Sequence, residues 1–261
     1  MAISTLDGLI AATKRRVVFQ KTASQTTVAN IPFSCFDAAG NPGAGTLAVG
    51  NTANGIVPTD AIAGYPGLAT AAASLYINRI LARSSVACWL DVYDCLFSAG
   101  AYAFNANTTL TAQPSYAGRV PGTDYNGLEL WLEAVTAFTG SQSIRIQYLD
   151  QGGSAGDTGT IATGVAPIAR RMYQMPLAAG DSGIQQVNVV TSTVSTVGTF
   201  NVHVMRWLWG CRINAANQGV VDSLLKTGLP LTYDTSALRL MIQADGTASG
   251  LPSLRMETAD G

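Results

Sequence analysis

The sequence predicts an all-β fold: a β-sandwich or jelly-roll-like domain with a short N-terminal helix and one short helix near the C-terminus. Three observations point to it. Apolar and polar residues alternate in run after run, most strictly at residues 143–148, where Ile144, Ile146 and Tyr148 take one face and Arg145 and Gln147 the other. Aromatic and β-branched side chains concentrate in these runs, and clusters of Gly, Pro, Asn and Asp divide them. The chain has 261 residues, close to the roughly 200–250 that all-β sandwiches reach as one domain. No fixed-period repeat and no charged linker splits it. The expected organisation is an N-terminal helix and arm over residues 1–30 and a sandwich over 31–261, with a large early loop at about 37–70.

The helix comes first. Ser4 or Thr5 can cap it, Asp7 suits its positive end, and Leu6, Leu9 and Ile10 form one apolar stripe. Lys14, Arg15 and Arg16 are expected near its C-terminal end, where cations are favoured. Residues 37–70 are dense in Gly, Pro and Asn and read as an irregular stretch, of a length that is often functional or interfacial. Residues 71–83 suit a helix by composition and a strand by the pattern at 74–80; the strand is favoured. Strands follow at 86–97, 127–138, 143–148, 185–194 and 199–209, with residues 195–198 as a hairpin connection between the last two. A second helix is expected at 215–226, where Val220, Val221, Leu224 and Leu225 give i, i+4 pairs and Gly228 and Pro230 supply a stop. A strand at 238–242 follows, and residues 257–261 read as frayed or exposed.

Composition narrows the function. Charged residues make up 12% of the chain, half the share of about 25% usual in soluble proteins. The net charge is −1. A chain so weakly charged is poorly protected against association, so much of its surface is expected to be covered by copies of itself or by a partner; the alternative is a monomer made polar by Thr, Ser, Asn and Gln. Lys14, Arg15 and Arg16 are the one basic cluster, too short for duplex binding, and no nucleic acid is expected as partner. Residues 1–7 have neither a basic stretch nor a long apolar run, so no signal peptide is expected. Pro66, Asn78 and Arg79 interrupt the most apolar stretch, so no membrane span is expected either.

The equipment for catalysis is sparse. There is one histidine, His203, which strand alternation places on the face of Asn201, Met205 and Trp207. It reads as a packed or half-exposed strand residue, because a catalytic imidazole needs a nucleophile or carboxylate that only the fold can bring to it. Asp91, Asp94, Glu129 and Glu133 read as solvated strand-face charges. The Gly-rich run at 152–159 lacks the Lys-Ser/Thr ending of a phosphate loop and reads as a β-loop. Cys35, Cys88, Cys95 and Cys211 contain no metal-binding spacing and read as small buried apolar residues, with a disulfide formed outside the cell as the alternative. Trp89, Trp131, Trp207 and Trp209 could form a sugar platform, but strand tryptophans more often serve a core or a subunit interface. No enzyme activity, cofactor or metal is expected.

Three segments resemble virion structural proteins of tailed bacteriophages: the opening MAISTLDGLI at 1–10, IQYLDQGGSAGD at 146–157, and PLAAGDSGI at 176–184 with its Val/Thr-rich continuation. The similarity is spread over most of the chain and is closest in kind to head decoration (cement) proteins. It implies a non-enzymatic protein of the outer capsid surface, made in the host cytoplasm, often a homotrimer, which binds the major capsid protein and locks neighbouring shell subunits together. No active-site residues come with it. Leu6, Leu9, Ile10, Lys14, Arg15 and Arg16 are the candidate capsid-docking residues. A tail or baseplate component and a carbohydrate-binding surface module are the alternatives.

Overall fold

The computed structural model describes residues 3–68, 73–105, 107–164, 167–192 and 197–261. In chain order its elements are α1 (Leu6–Ala11), β1 (Lys14–Lys21), β2 (Pro32–Ser34), β3 (Gly40–Asn41), β4 (Asn51–Ile56), β5 (Ser74–Arg83), β6 (Cys88–Ala103) and β7 (Asn107–Thr109). Then follow β8 (Leu128–Ala134), β9 (Ser143–Asp150), β10 (Ala155–Asp157), β11 (Ile161–Ala162), β12 (Met172–Met175) and β13 (Ile184–Ser192). The chain continues with β14 (Thr199–Ile213), β15 (Gly219–Asp222), α2 (Leu224–Thr227), β16 (Leu231–Tyr233), β17 (Leu238–Ala244) and β18 (Ser253–Asp260). The all-β class and the two short helices agree with the sequence.

The strands form three antiparallel sheets. A seven-stranded sheet runs β12-β8-β14-β6-β17-β2, with β4 also paired to β6. A six-stranded sheet runs β15-β5-β18-β1-β3 with β16 beside β5, and a five-stranded one runs β10-β9-β13-β7 with β11 beside β9. The seven-stranded sheet carries both others on one face. Leu96, Leu130 and Val202 from it meet Ile144, Ile146 and Val187 from the five-stranded sheet. Further along, Leu90, Val92 and Leu240 meet Phe19, Ile77 and Leu254 from the six-stranded sheet. Each such large side chain taken out of water contributes roughly 1.5–3 kcal/mol. On the opposite face Tyr93, Cys95, Trp131, Met205 and Met241 pack under Phe36, Leu47 and Tyr65 of the early loop. The loop expected at 37–70 is thus a roof, with β3 and β4 inside it.

Where the pattern was unambiguous, strands form as expected. In β9, Ile144, Ile146 and Tyr148 are buried while Arg145 is exposed. Asp150 then turns the chain by accepting from the Gly152 and Ser154 N–H groups at 2.7 and 2.8 Å. Helix α1 is capped as expected, by Thr5 Oγ1 accepting from Gly8 N at 3.0 Å.

Four expectations are corrected. The helix at 215–226 shrinks to α2, because Val220 and Val221 pair as β15 with Ala82 and Leu81 of β5; β-branched neighbours suit a strand beside a free edge. Gly228 does stop α2, at φ 65°. Among the described residues β13 and β14 do not pair as the expected hairpin. Strand β13 pairs with β7 and β9, and β14 with β6 and β8; residues 193–196 of its connection lie outside the described residues. Residues 257–260 are not frayed: they belong to β18, paired on one side with β5 and on the other with β1. Lys14, Arg15 and Arg16 open β1, a strand flanked by β18 and β3 within the stretch expected as an arm. Among the described residues no helix is long and apolar enough to cross a membrane.

Candidate functional site

The most chemically loaded place in the molecule lies between the seven-stranded sheet and its roof. Strands β8, β14 and β17 turn polar side chains onto that face: Glu133, Asn201 and His203, and Arg239. Glu133 and His203 are 0% exposed. Glu133 Oε2 accepts from Asn201 Nδ2 at 3.1 Å and from Arg239 Nη1 at 3.2 Å, and lies 3.0 Å from His203 Nε2. On its other side the ring places Nδ1 2.8 Å from Ser98 Oγ and 3.9 Å from Cys95 Sγ. The Arg239 guanidinium lies 4.5 Å over the Phe36 ring, a cation–π contact with the roof. Asn201 fastens the roof too, donating to Leu47 O at 2.7 Å and accepting from Val49 N at 3.4 Å.

The electrostatics follow from this packing. Burial pushes the Glu133 carboxyl up, but Arg239 and His203 outweigh it and hold it down at about 2. For His203, burial and Arg239 disfavour the charged ring, yet the hydrogen bonds to Cys95 and Glu133 leave its pKa raised. Burial pushes the Cys95 thiol up, and His203, Arg239 and Ser98 bring it down to about 7. A crevice of about 260 Å³ enters between roof and sheet, lined by Leu47, Val49, Ile56, Ile62 and Tyr65, with Ser98 and Arg239 at its floor. The order Ser98–His203–Glu133 is that of a nucleophile, a base and the group that orients it. The imidazole and carboxylate are sealed, however, and their partners tie three strands to the roof.

A second buried carboxylate sits on the inner face, between the two large cores. Asp94 accepts from Ser236 Oγ at 2.7 Å and Ala237 N at 3.1 Å, lies 3.4 Å from Arg206 Nη2, and is paired with Arg119. Arg119 also reaches Cys95 O at 3.0 Å and Pro58 O in the roof. Asp94 and Glu133 were expected as solvated charges and are both fully buried. Glu129 and Asp91 are nearer solvent. Glu129 accepts from Trp131 Nε1 at 2.7 Å and Asp91 from Trp207 Nε1 at 3.1 Å, and burial raises both carboxyls.

The candidate docking residues divide. Leu6 and Ile10 are 62% and 69% exposed, whereas Leu9 is buried, so the stripe does not act as one surface. Lys14 Nζ donates to Ala12 O at 2.8 Å and to Leu9 O, which places it at the helix C-terminus as expected. Arg15 forms a two-pronged pair with Asp260 at 2.9 Å. Arg16 is exposed on the outer face of the six-stranded sheet. Of the tryptophans, Trp131 and Trp209 are buried, while Trp89 and Trp207 are half exposed on either side of Asp91.

All four cysteines are free and buried. Burial pushes the Cys35 and Cys211 thiols up to about 12, which leaves almost no thiolate at neutral pH. Cys95 is held at about 7 but lies sealed beneath the roof, so native protein treated with iodoacetamide is expected to show no mass shift within minutes and four additions after unfolding in urea. Rapid native labelling of Cys95 would mean that the roof opens.

No family model matches the sequence, and no curated protein matches it. Among solved structures, the chain is similar to "Crystal structure of PirA" at 13% identity, covering 31% of this chain and 69% of that one, with a TM-score of 0.19. It is similar to an infectious bursal disease virus particle (Gt strain) at 9% identity, covering 95% and 81%, with a TM-score of 0.20. A subviral particle of the same virus's VP2 gives 10% identity, coverage of 94% and 76%, and a TM-score of 0.18. Superpositions this loose leave the function to be read from the chain's own residues.

Proposed function

We propose that this chain is a non-enzymatic virion structural protein: a decoration (cement) protein that binds the outer surface of a phage head as a homotrimer and bridges neighbouring major capsid subunits. One observation carries the reading. The ionisable groups that could do chemistry, Glu133, His203 and Asp94, are sealed inside, while large apolar side chains stay in water, among them Leu6, Ile10, Trp89, Trp207, Val221 and Leu225. Adjoining exposed apolar side chains mark an interaction site, and Val221 stands beside the exposed Leu81 on one rung of the six-stranded sheet. Repeated over a lattice, many modest contacts add up to firm attachment.

The test is light scattering of the purified chain, alone and then mixed with undecorated heads. A trimer that sediments with heads and raises their resistance to heat is the expected result. Removing residues 1–12, which spares β1, is expected to weaken decoration through loss of Leu6 and Ile10. A higher-order ring that ignores heads would move the protein to the tail or baseplate. Ester hydrolysis by the pure protein that disappears in His203→Ala would overturn the non-enzymatic reading.

A second reading has its own observation. Trp89 and Trp207 flank Asp91 on one open face, an arrangement able to stack on a sugar ring and accept from its hydroxyls. Binding to host polysaccharide that is lost in Trp89→Ala and Trp207→Ala would favour a carbohydrate-binding module.

A further inference from the structure

Most cations of this protein are satisfied internally. Seven arginines and Lys226 are paired with carboxylates. Lys14 and Lys21 donate to backbone carbonyls, and Arg171 lies over the Tyr173 ring. Of the 15 Lys and Arg residues, those left with no ion pair, hydrogen bond or ring contact among the described residues are Arg16, Arg79, Arg83 and Arg255. All four are exposed, and all four lie on one face of one sheet.

The register shows how they are arranged. Arg16 of β1 and Arg79 of β5 flank Glu257 of β18. The next rung on the same face reads Val18, Arg255, Leu81 and Val221, and the next Gln20, Ser253, Arg83 and Gly219. Glu257 is the one acid on these rungs and accepts from Asn78 Nδ2 at 2.8 Å. Two adjoining grooves of about 190 and 350 Å³ run over the rungs and share Leu81 and Arg255. Four guanidiniums face a single carboxylate on a protein whose net charge is −1. Evenly scattered cations would not leave all those without any such contact on one face.

We propose that this face docks an extended acidic segment of another protein, with carboxylates alternating with small apolar side chains. Guanidinium forks bind carboxylates in bidentate geometry. Side chains two residues apart on an extended chain recur at about 6.6–6.8 Å, and three successive rungs of this face each present an arginine: Arg16 and Arg79, then Arg255, then Arg83. Leu81, Val18 and Val221 between the arginines give apolar seats that a phosphate backbone would not use, which favours a peptide over a nucleic acid. The inference deepens the assembly reading and rests on it for the segment's source, a neighbouring subunit of the shell. It also moves the docking surface: of the basic residues expected to dock, Arg16 alone belongs to it.

The experiment measures fluorescence anisotropy of a labelled alternating Glu-Val dodecapeptide with the full chain, beside a Gln-Val peptide, a short DNA duplex and phosphatidylserine vesicles. The acidic peptide is expected to bind, and the Arg79→Gln/Arg255→Gln variant, checked for folding by circular dichroism, to bind it about tenfold more weakly. Arg145→Gln, which changes an exposed arginine of the five-stranded sheet, is expected to bind as wild type. Equal binding of the Gln-Val peptide, stronger binding of DNA or vesicles, or an unaffected double variant would each overturn the proposal. Normal decoration of heads by the double variant would sink this docking face while leaving the assembly reading intact. Arginine-dependent peptide binding by a chain that ignores heads would do the reverse.

Discussion

Glu133→Gln is expected to destabilise the fold by about 3–5 kcal/mol, the cost of leaving a buried charge without its partner. The amide keeps the shape of the site, so the loss is electrostatic. Arg239 Nη1 keeps only the His203 ring and Phe36 beside it, and no anion. The urea midpoint at pH 7 reads the effect directly, and a loss below about 1 kcal/mol would show that solvent reaches the cluster. The wild type carries a matching pH signature. The Glu133 carboxyl titrates near 4.5 when unfolded and is held at about 2 in the fold. Its contribution is fully present above pH 4.5 and is lost as the pH falls towards 2. The Gln variant has no such group and is expected to lose less stability over that window. Its remaining decline belongs to the other carboxylates.

Asp94→Asn is expected to cost a similar amount, because two guanidiniums, those of Arg119 and Arg206, then face each other in the interior with no anion between them. On a domain whose whole stability is of the order of 5–15 kcal/mol, that leaves a marginal protein. Adding Arg119→Met removes one of the stranded cations and is expected to recover part of the loss. A double-mutant cycle read from urea midpoints is expected to give a coupling of about 1–3 kcal/mol. Strict additivity would mean that Arg119 is held by the Cys95 and Pro58 carbonyls and gains nothing from Asp94.

The legible parts of this fold are those in which local pattern and tertiary setting agree. Strand β9 alternates because one face meets a core and the other meets water, and alternation is what a sequence displays. Strand β14 is buried on both faces through most of its length, the mark of a central strand. A turn-rich connection after β13 suggested adjacency, but β13 keeps polar residues such as Gln185, Gln186 and Asn188 and settles in an outer sheet. Val220 and Val221 fit a helix by spacing; the open edge of β5 decides for a strand. Residues 257–260 look weak alone and are held because β5 and β1 leave a slot between them. The site was half legible. His203 stood out by being single and was placed on the correct face with Asn201 and Met205. Its partners lie 36 to 108 residues away on other strands, and the roof over Glu133 comes from a loop whose path no periodicity encodes.

That slot has a consequence for synthesis. Arg15 and Asp260, which close it, are 245 residues apart in sequence, and β18 is the strand that joins β1 to β5. While the ribosome is still making residues 253–260, β1 and β5 have no neighbour on that side and expose hydrogen-bonding edges, the species most prone to wrong pairing. The six-stranded sheet is therefore assembled only after translation has passed its last strand, and a nascent chain interrupted before then has no arginine-bearing face to offer.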